Sequence, residues 1–104
     1  MDQNMPHFVY LMASGRGGTL KVGETQNLVQ RVSLYKRHAQ NDSLEERREF
    51  TSLVWFEQHA TTETAIRRER EISGWSRARR VHLVEERNVN WRDLYGDLVG
   101  RGER

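Results

Sequence analysis

Two short runs of strand-forming residues near the N-terminus constrain the fold more than any other feature of this sequence. They are Phe8-Val9-Tyr10 and Lys21-Val22-Gly23, and the glycine-rich segment Ser14-Gly15-Arg16-Gly17-Gly18 separates them. Apolar, β-branched and aromatic runs joined by a glycine-rich turn are typical of a β-hairpin. Each run also ends in a residue that packing alone does not require, Tyr10 in the first and Gly23 in the second. The hairpin is therefore a candidate carrier of function as well as of structure.

The pattern after the hairpin predicts an α/β (α+β) fold, a small three-stranded antiparallel or mixed sheet flanked by helices. Strands are expected over residues 7–12, 19–22 and 50–57. The third strand contains the nearly continuous apolar run Leu53-Val54-Trp55-Phe56, so we predict a central position for it in the sheet. Capping residues predict four helices. They begin at Asn27, at Thr61 or Thr62, at Ser76 and at Asn90, and the first three end near residues 38, 74 and 86.

The length of 104 residues predicts one domain. We expect it to cover residues 7–98, with an N-terminal extension over 1–6, a loop over 39–49 and a flexible tail over 99–104. The chain has no cysteine, which excludes disulfides and thiolate zinc sites and fits a cytoplasmic location. It also has no apolar stretch of membrane-spanning length and no signal-peptide pattern at its start.

The net charge of +2 is too small to indicate nucleic acid by itself, but the arginines are unevenly distributed. Six of them fall between residues 67 and 80, and a guanidinium suits phosphate because it can donate two parallel hydrogen bonds. The alternative is a solvated helical surface paired with glutamates. The arginines are Arg67, Arg68, Arg70, Arg77, Arg79 and Arg80, and the glutamates are Glu63, Glu71, Glu85 and Glu86.

Two charged residues fall on or beside apolar helix faces. At about 100° per residue, Glu69 lies between Ile66 and Ile72 in the middle of the apolar face of the second helix. Arg31 falls beside the apolar stripe of the first helix. A carboxylate seldom faces a core unless it is paired or binds a metal. Glu69 is therefore either part of a buried ion pair with an arginine or a metal-binding or catalytic carboxylate, and Arg31 either extends its head to water or belongs to a phosphate site.

The histidines and tryptophans indicate no further chemistry. His7, His38, His59 and His82 are too widely spaced for a metal motif, and each is expected at the surface. The glycine-rich turn lacks the lysine of a phosphate-binding loop, and no serine lies in a nucleophile elbow. The tryptophans at positions 55, 75 and 91 are expected to anchor the core.

From Phe8 through Leu98 the chain resembles the small, single-domain, excinuclease-like members of the GIY-YIG endonuclease superfamily. Phe8-Val9-Tyr10 and Lys21-Val22-Gly23 stand at the two signatures, with lysine in place of the second tyrosine. Four further segments are similar to the family pattern. They are Thr25-Gln26-Asn27-Leu28-Val29-Gln30-Arg31, Leu53-Val54-Trp55-Phe56-Glu57, Ala65-Ile66-Arg67-Arg68-Glu69 and Asn88-Val89-Asn90-Trp91-Arg92-Asp93-Leu94-Tyr95.

The resemblance implies a nuclease that cleaves a phosphodiester with one divalent cation, Mg²⁺ or Mn²⁺. It implies that Glu69 binds the metal and that Arg31 binds the phosphate and stabilises the transition state. It further implies that Tyr10 helps to deprotonate the attacking water, with Lys21 supplying a neighbouring cation or a hydrogen bond. Supporting roles fall to Gly23, Tyr35 and Asn88.

We expect the partner to be DNA, selected by structure or single-strandedness rather than by a long specific sequence. The side chains expected to contact its backbone phosphates are Arg16, Arg67, Arg68, Arg77, Arg79 and Arg80. A nucleic-acid-binding module without catalysis is the alternative, because Lys21 departs from the signature. A protein-interaction module on the same fold is a third reading.

Overall fold

The computed structural model of the protein describes residues 6–41 and 50–102. Strand, strand, helix, strand and three further helices follow one another, as the sequence predicts. The elements are β1 (His7–Ala13), β2 (Leu20–Thr25), α1 (Leu28–Asn41), β3 (Ser52–His59), α2 (Thr62–Ser73), α3 (Arg77–Arg87) and α4 (Tyr95–Gly102). Helix α1 extends into the loop predicted over 39–49, and α4 extends into the predicted tail. Residues 1–5, 42–49 and 103–104 of the predicted extension, loop and tail lie outside the described residues.

The three strands form one antiparallel sheet in the order β2-β1-β3, so β1 is central. The prediction of a central third strand is therefore wrong. The residues of β3 are apolar because helices cover both faces of the sheet, and its outer edge is covered as well. Leu94 N donates to Leu53 O at 2.8 Å, and Asn88 Nδ2 donates to Val54 O at 3.0 Å. The segment 88–94 thus takes the place of a fourth strand.

Alternation along β1 divides the core into two clusters, one on each face of the sheet. Val9 and Leu11 pack against α2 and α3 through Ala65, Ile72 and Val84. On the opposite face, β1 residues pack against α1 and against the segment that leads into α4. The buried residues of this second cluster are Tyr10, Met12, Leu28, Val32 and Leu53.

Side-chain caps begin the first three helices as predicted. Asn27 Oδ1 accepts from Gln30 N at 3.0 Å, Thr61 Oγ1 from Thr64 N at 3.2 Å, and Ser76 Oγ from Arg79 N at 3.2 Å. Each cap pairs a backbone N–H that has no partner within its helix. No helix within the two described ranges is both long and apolar enough to span a membrane.

The final helix begins at Tyr95, so the prediction that it begins at Asn90 is wrong. Asp93 Oδ1 accepts from both Tyr95 N and Leu53 N, at 3.1 Å each, and so connects the start of α4 to the edge of the sheet. Trp91, with φ of 57°, lies in the left-handed region. The residues before Tyr95 remain outside a helix, because Asn88, Asp93 and Leu94 bond to β3 instead.

Candidate active site

Tyr10 and Gly23 form one structural unit across β1 and β2. They are direct partners in the antiparallel register, and Tyr10 is only 1% exposed. A Cβ built on Gly23 would lie 2.3 Å from Tyr10 Oη and 2.5 Å from Cζ. The tyrosine side chain therefore lies over the β2 backbone in space that any larger residue at position 23 would occupy. This contact accounts for the two residues that packing of the hairpin did not require.

Arg31 reaches the Tyr10 hydroxyl from the first turn of α1. Its Nη1 donates to Tyr10 Oη at 3.4 Å, while the residue as a whole is exposed. The ring of Tyr35, one turn further along α1, packs edge-on against Tyr10 with centroids 6.3 Å apart. Arg31 lies beside the apolar stripe of α1 because its side chain covers the buried Tyr10. Its guanidinium remains in solvent. Its guanidinium is therefore available to an anion.

Lys21 lies two residues before Gly23 on β2, on the same face of the sheet. It is opposite Met12, and it is exposed. Residues two apart on a strand point to the same side and are separated by about 6.6 Å. The lysine that replaces the signature tyrosine is thus a neighbour of the Tyr10–Gly23 unit, with its charge in solvent.

Glu69 is separated from these residues by the sheet. It is half-buried on α2, and that helix packs through Ala65 and Ile72 against the face opposite Tyr10. Ser73 Oγ donates to Glu69 Oε2 at 3.3 Å. Within residues 6–41 and 50–102 no hydrogen bond or ion pair joins Glu69 to an arginine, so the buried ion pair that the sequence left open is not formed there. Nor does any such contact join it to Tyr10 or Lys21.

A polar cleft of about 490 Å³ adjoins Arg31 where β2 leads into α1. Its lining residues come from the end of β2, the start of α1, the start of β1 and the start of α2. They are His7, Glu24, Thr25, Gln26, Asn27, Gln30, Arg31 and Thr62. The cleft therefore combines a cation and the N-terminus of a helix, which both favour a phosphate, with one carboxylate, which opposes it.

His7 is buried at the back of this cleft, so the prediction that it lies at the surface is wrong. It is 5% exposed, and its Nε2 lies 3.0 Å from Glu24 Oε1. Position 7 shares a face of β1 with Val9 and Leu11 because side chains alternate along a strand. The hairpin register makes His7 the diagonal neighbour of Glu24, since Val9 is the direct partner of Glu24. The pair could therefore have been predicted from the sequence if the register of the hairpin had been known.

A second ionic network on the same face joins β3 to α2. Arg68 Nε lies 3.1 Å from Glu57 Oε1, and His59 Nε2 lies 2.8 Å from the same oxygen. Arg68 Nη1 also lies 3.0 Å from Glu71 Oε1. Partial burial lowers the pKa of Arg68, but hydrogen bonds and charge from Glu71 and Glu57 outweigh that loss, and the pKa is raised above its ordinary value. Arg68 is therefore a charged structural residue.

Comparison with models of known protein families identifies the family to which this arrangement belongs. The profile of the GIY-YIG catalytic domain matches residues 6–82 of the 104-residue chain. The chain belongs to the GIY-YIG family. Searches of curated proteins and of solved structures each found no match. Family membership supports a nuclease-type protein and suggests DNA as a substrate, and GIY-YIG nucleases generally use divalent metal ions.

Glu69 is the GIY-YIG residue that could hold such an ion. Its carboxylate supplies hard oxygen ligands, it is half-buried, and the described residues place no cation against it. Mg²⁺ is commonly bound through one or two carboxylates with several waters retained, so this donor fits Mg²⁺ or Mn²⁺. No cluster of three or more potential metal ligands occurs in the described ranges, so a site here would depend on a single carboxylate.

The arginines of this GIY-YIG chain divide into two groups. Arg77 donates to Gly18 O at 2.8 Å and Gly17 O at 2.9 Å, and Arg80 donates to Ile72 O at 3.2 Å and Ser73 O at 2.9 Å. Together with Arg68, these guanidinium groups already bond to the protein. Phosphate contacts by any of the six arginines stay a prediction. Arg16, Arg67 and Arg79 are exposed, and the Arg79 guanidinium also lies 4.1 Å from the centroid of the Trp75 ring.

Asn88 lies outside the matched range and has a structural role. It is buried, its Nδ2 donates to Val54 O and Arg92 O, and its Oδ1 accepts from Arg92 N at 2.9 Å. The bond to Val54 fastens the segment 88–94 to the edge of β3, and the two bonds with Arg92 fix the conformation of the segment itself. The strand β1 separates that edge from β2. Asn88 therefore supports the sheet rather than the cleft.

Proposed function

We propose that this protein is a divalent-metal-dependent DNA endonuclease that hydrolyses phosphodiester bonds. The observation that carries the proposal is the exposed Arg31 guanidinium, which bonds to the buried Tyr10 hydroxyl and lines a polar cleft within the GIY-YIG match. An arginine held in this way can bind a phosphate and stabilise the charge that develops in the transition state.

The remaining signature residues support this chemistry in distinct ways. Glu69 would hold Mg²⁺ or Mn²⁺, which supplies positive charge to the scissile phosphate when bound. Lys21 would add a second cation beside Gly23. The burial of Tyr10 favours a role in orienting Arg31 over direct contact with water. Tyr35 and Gly23 would keep Tyr10 in place.

We propose that the substrate is selected by its structure or single-strandedness. The exposed arginines can reach backbone phosphates, and contacts of that kind carry no direct sequence information. Nicks, flaps, branches and single strands expose phosphates in geometries that a continuous duplex does not offer. A cytoplasmic location, proposed from the absence of cysteine, fits access to such DNA.

One experiment tests the proposal. Purified protein is incubated with labelled single-stranded, duplex and branched DNA, with Mg²⁺ or Mn²⁺ and in parallel with EDTA. We expect cutting of at least one substrate, its loss in EDTA, and a loss of about 100-fold or more in Glu69→Ala. The matched control is Glu86→Ala, since this glutamate is exposed on α3. A wild type that cuts none of these substrates, or Glu69→Ala that cuts as fast as wild type, refutes the proposal.

The second candidate function is a nucleic-acid-binding module without catalysis, which the lysine at position 21 favours. The same samples separate the two functions. If DNA is bound but never cut in either metal, the binding module is correct. If DNA is neither bound nor cut, the protein-interaction reading is favoured instead.

A further inference from the structure

The His7–Glu24 pair is a feature of the cleft that the GIY-YIG signatures do not explain. The side chain of His7 is 7% exposed and that of Glu24 is 32% exposed. His7 Nδ1 also lies 3.3 Å from Thr62 Oγ1. A carboxylate only accepts hydrogen bonds, so Nε2 donates to Glu24, and Nδ1 is hydrogen-bonded to the Thr62 hydroxyl. Both nitrogens are engaged, which holds the Glu24 carboxylate in one orientation.

The orientation of Glu24 matters because of its neighbours. Its side chain points to the face of the sheet opposite Tyr10, because side chains alternate along β2, and it lines the same cleft as Arg31. Among the described residues that line this cleft, Glu24 is the one carboxylate. The Tyr10 hydroxyl is covered and Lys21 is a cation. Glu24 is thus a partly exposed proton acceptor in the cleft that Arg31 also lines.

We propose that Glu24 is the catalytic base of the phosphodiester cleavage and that His7 is its positioning residue. This inference rests on the proposed function. The Glu24 carboxylate takes a proton from the attacking water as the water oxygen forms its bond to phosphorus. The bond from phosphorus to the leaving oxygen breaks with its electron pair going to that oxygen, which is then protonated from solvent. Glu24 afterwards releases its proton to water.

Other charged groups lie around Glu24, and those on β3 are already bonded to one another. Charged or titratable groups face the His7–Glu24 pair from α1 and β3. Helix α2 contributes the uncharged Thr62, and Arg68 of the same helix bonds to Glu57. The groups that face the pair are Arg31, Glu57 and His59. Glu57 and His59 bond to each other and to Arg68, so they are engaged on the far side of β1 from Glu24.

The test compares wild type with Glu24→Gln under single-turnover conditions, on a DNA that the wild type cuts. The amide keeps an acceptor for His7 but cannot take the proton. We expect the cleavage rate to fall by about 100-fold or more. DNA binding should be unchanged or slightly tighter, because a negative charge near the phosphate is lost. Glu86→Gln is the matched control, since it makes the same change on an exposed helix surface.

A pH profile separates a base from a structural residue. The wild-type rate should rise with pH and then level off, as it does for a reaction that needs an unprotonated base. That rise should disappear in Glu24→Gln. If Glu24→Gln cuts at the wild-type rate, or cuts slowly with the same rise, Glu24 is not the base. If the wild type cuts no substrate, the proposed function itself fails, and the base assignment fails with it.

The role of His7 is tested through Glu24. His7→Gln keeps a donor to the carboxylate and should cut nearly as fast as wild type, whereas His7→Leu should cut roughly 10- to 100-fold more slowly. Combining His7→Leu with Glu24→Gln should add nothing to Glu24→Gln alone, since His7 acts through the carboxylate. Thermal unfolding verifies that each variant is folded. A folded His7→Leu that cuts like wild type, or additive losses in the double variant, overturns the positioning role, and an unfolded one leaves His7→Gln and Glu24→Gln to decide.

Discussion

At the scale of single residues, the site depends on how closely Tyr10 approaches the β2 backbone. The tyrosine is the direct partner of Gly23, and its hydroxyl accepts from Arg31. A glycine is needed here for space rather than for backbone conformation, because the Tyr10 side chain occupies the position of a Cβ. Tyr10 of the first GIY-YIG signature and Gly23 of the second therefore form a single contact.

We predict that Gly23→Ala destabilises the protein by about 1–3 kcal/mol, because the new methyl group would lie 2.3 Å from Tyr10 Oη. The displaced ring should also move Arg31, so cleavage should fall. Urea unfolding measures the first effect and the nuclease assay the second.

The control for this substitution is Gly96→Ala in α4, where a Cβ would meet nothing within 4 Å. Alanine is the better helix former, so this variant should be neutral or more stable. Equal stability of Gly23→Ala and wild type would contradict the packing argument.

At the scale of elements, the edge of β3 depends on the segment 88–94. A strand edge with free backbone groups is open to pairing with other chains. Here Asn88, Asp93 and Leu94 bond to Leu53 and Val54, so the edge is closed over those two residues. The segment lies beyond the matched part of the chain but completes the sheet.

We predict that Asn88→Ala lowers the free energy of unfolding by about 2 kcal/mol, because it leaves the carbonyl of Val54 without its partner. Urea unfolding followed by circular dichroism measures the change. Asn90→Ala is the matched control, since Asn90 is exposed, and it should change stability by less than about 0.5 kcal/mol. Similar losses in the two variants would show that the bonds of Asn88 are not responsible.

At the scale of the whole molecule, the charge available to DNA is smaller than the number of arginines suggests. Arg77 donates to the distant glycine turn, Arg80 donates to carbonyls at the end of the preceding helix, and Arg68 is paired with two glutamates. The net charge is only +2. DNA binding should therefore depend on a few exposed cations and weaken steeply as salt is added.

We predict opposite outcomes for two arginine substitutions. Arg67→Gln should reduce the slope of log binding constant against log salt by about one, because one phosphate contact is lost. Arg77→Gln should leave that slope unchanged and lower stability, because its two bonds to the glycine turn are lost. Anisotropy of labelled DNA in EDTA, over a range of salt, measures the slope. A reduced slope for Arg77→Gln with Arg67→Gln unchanged would reverse the division of the arginines.

Local features of this protein could be predicted from sequence, because short-range bonds determine them. The hairpin follows from its glycine-rich turn, and the caps at Asn27, Thr61 and Ser76 each bond three residues along the chain. The unusual position of Arg31 was also visible from the helical period alone. The family resemblance follows from the same local motifs, and the match over residues 6–82 confirms it.

Contacts between distant segments could not be predicted, because they depend on which elements become neighbours. The apolar run of β3 could not distinguish a central strand from an edge strand covered by the segment 88–94. The composition could not reveal that Arg77 bonds to carbonyls 59 and 60 residues away. His7 and Glu24 meet only through the register of the hairpin, and Thr62 completes their pairing from α2. The sequence by itself determined the elements and the candidate chemistry, whereas tertiary packing decided which charged side chains remain free to act.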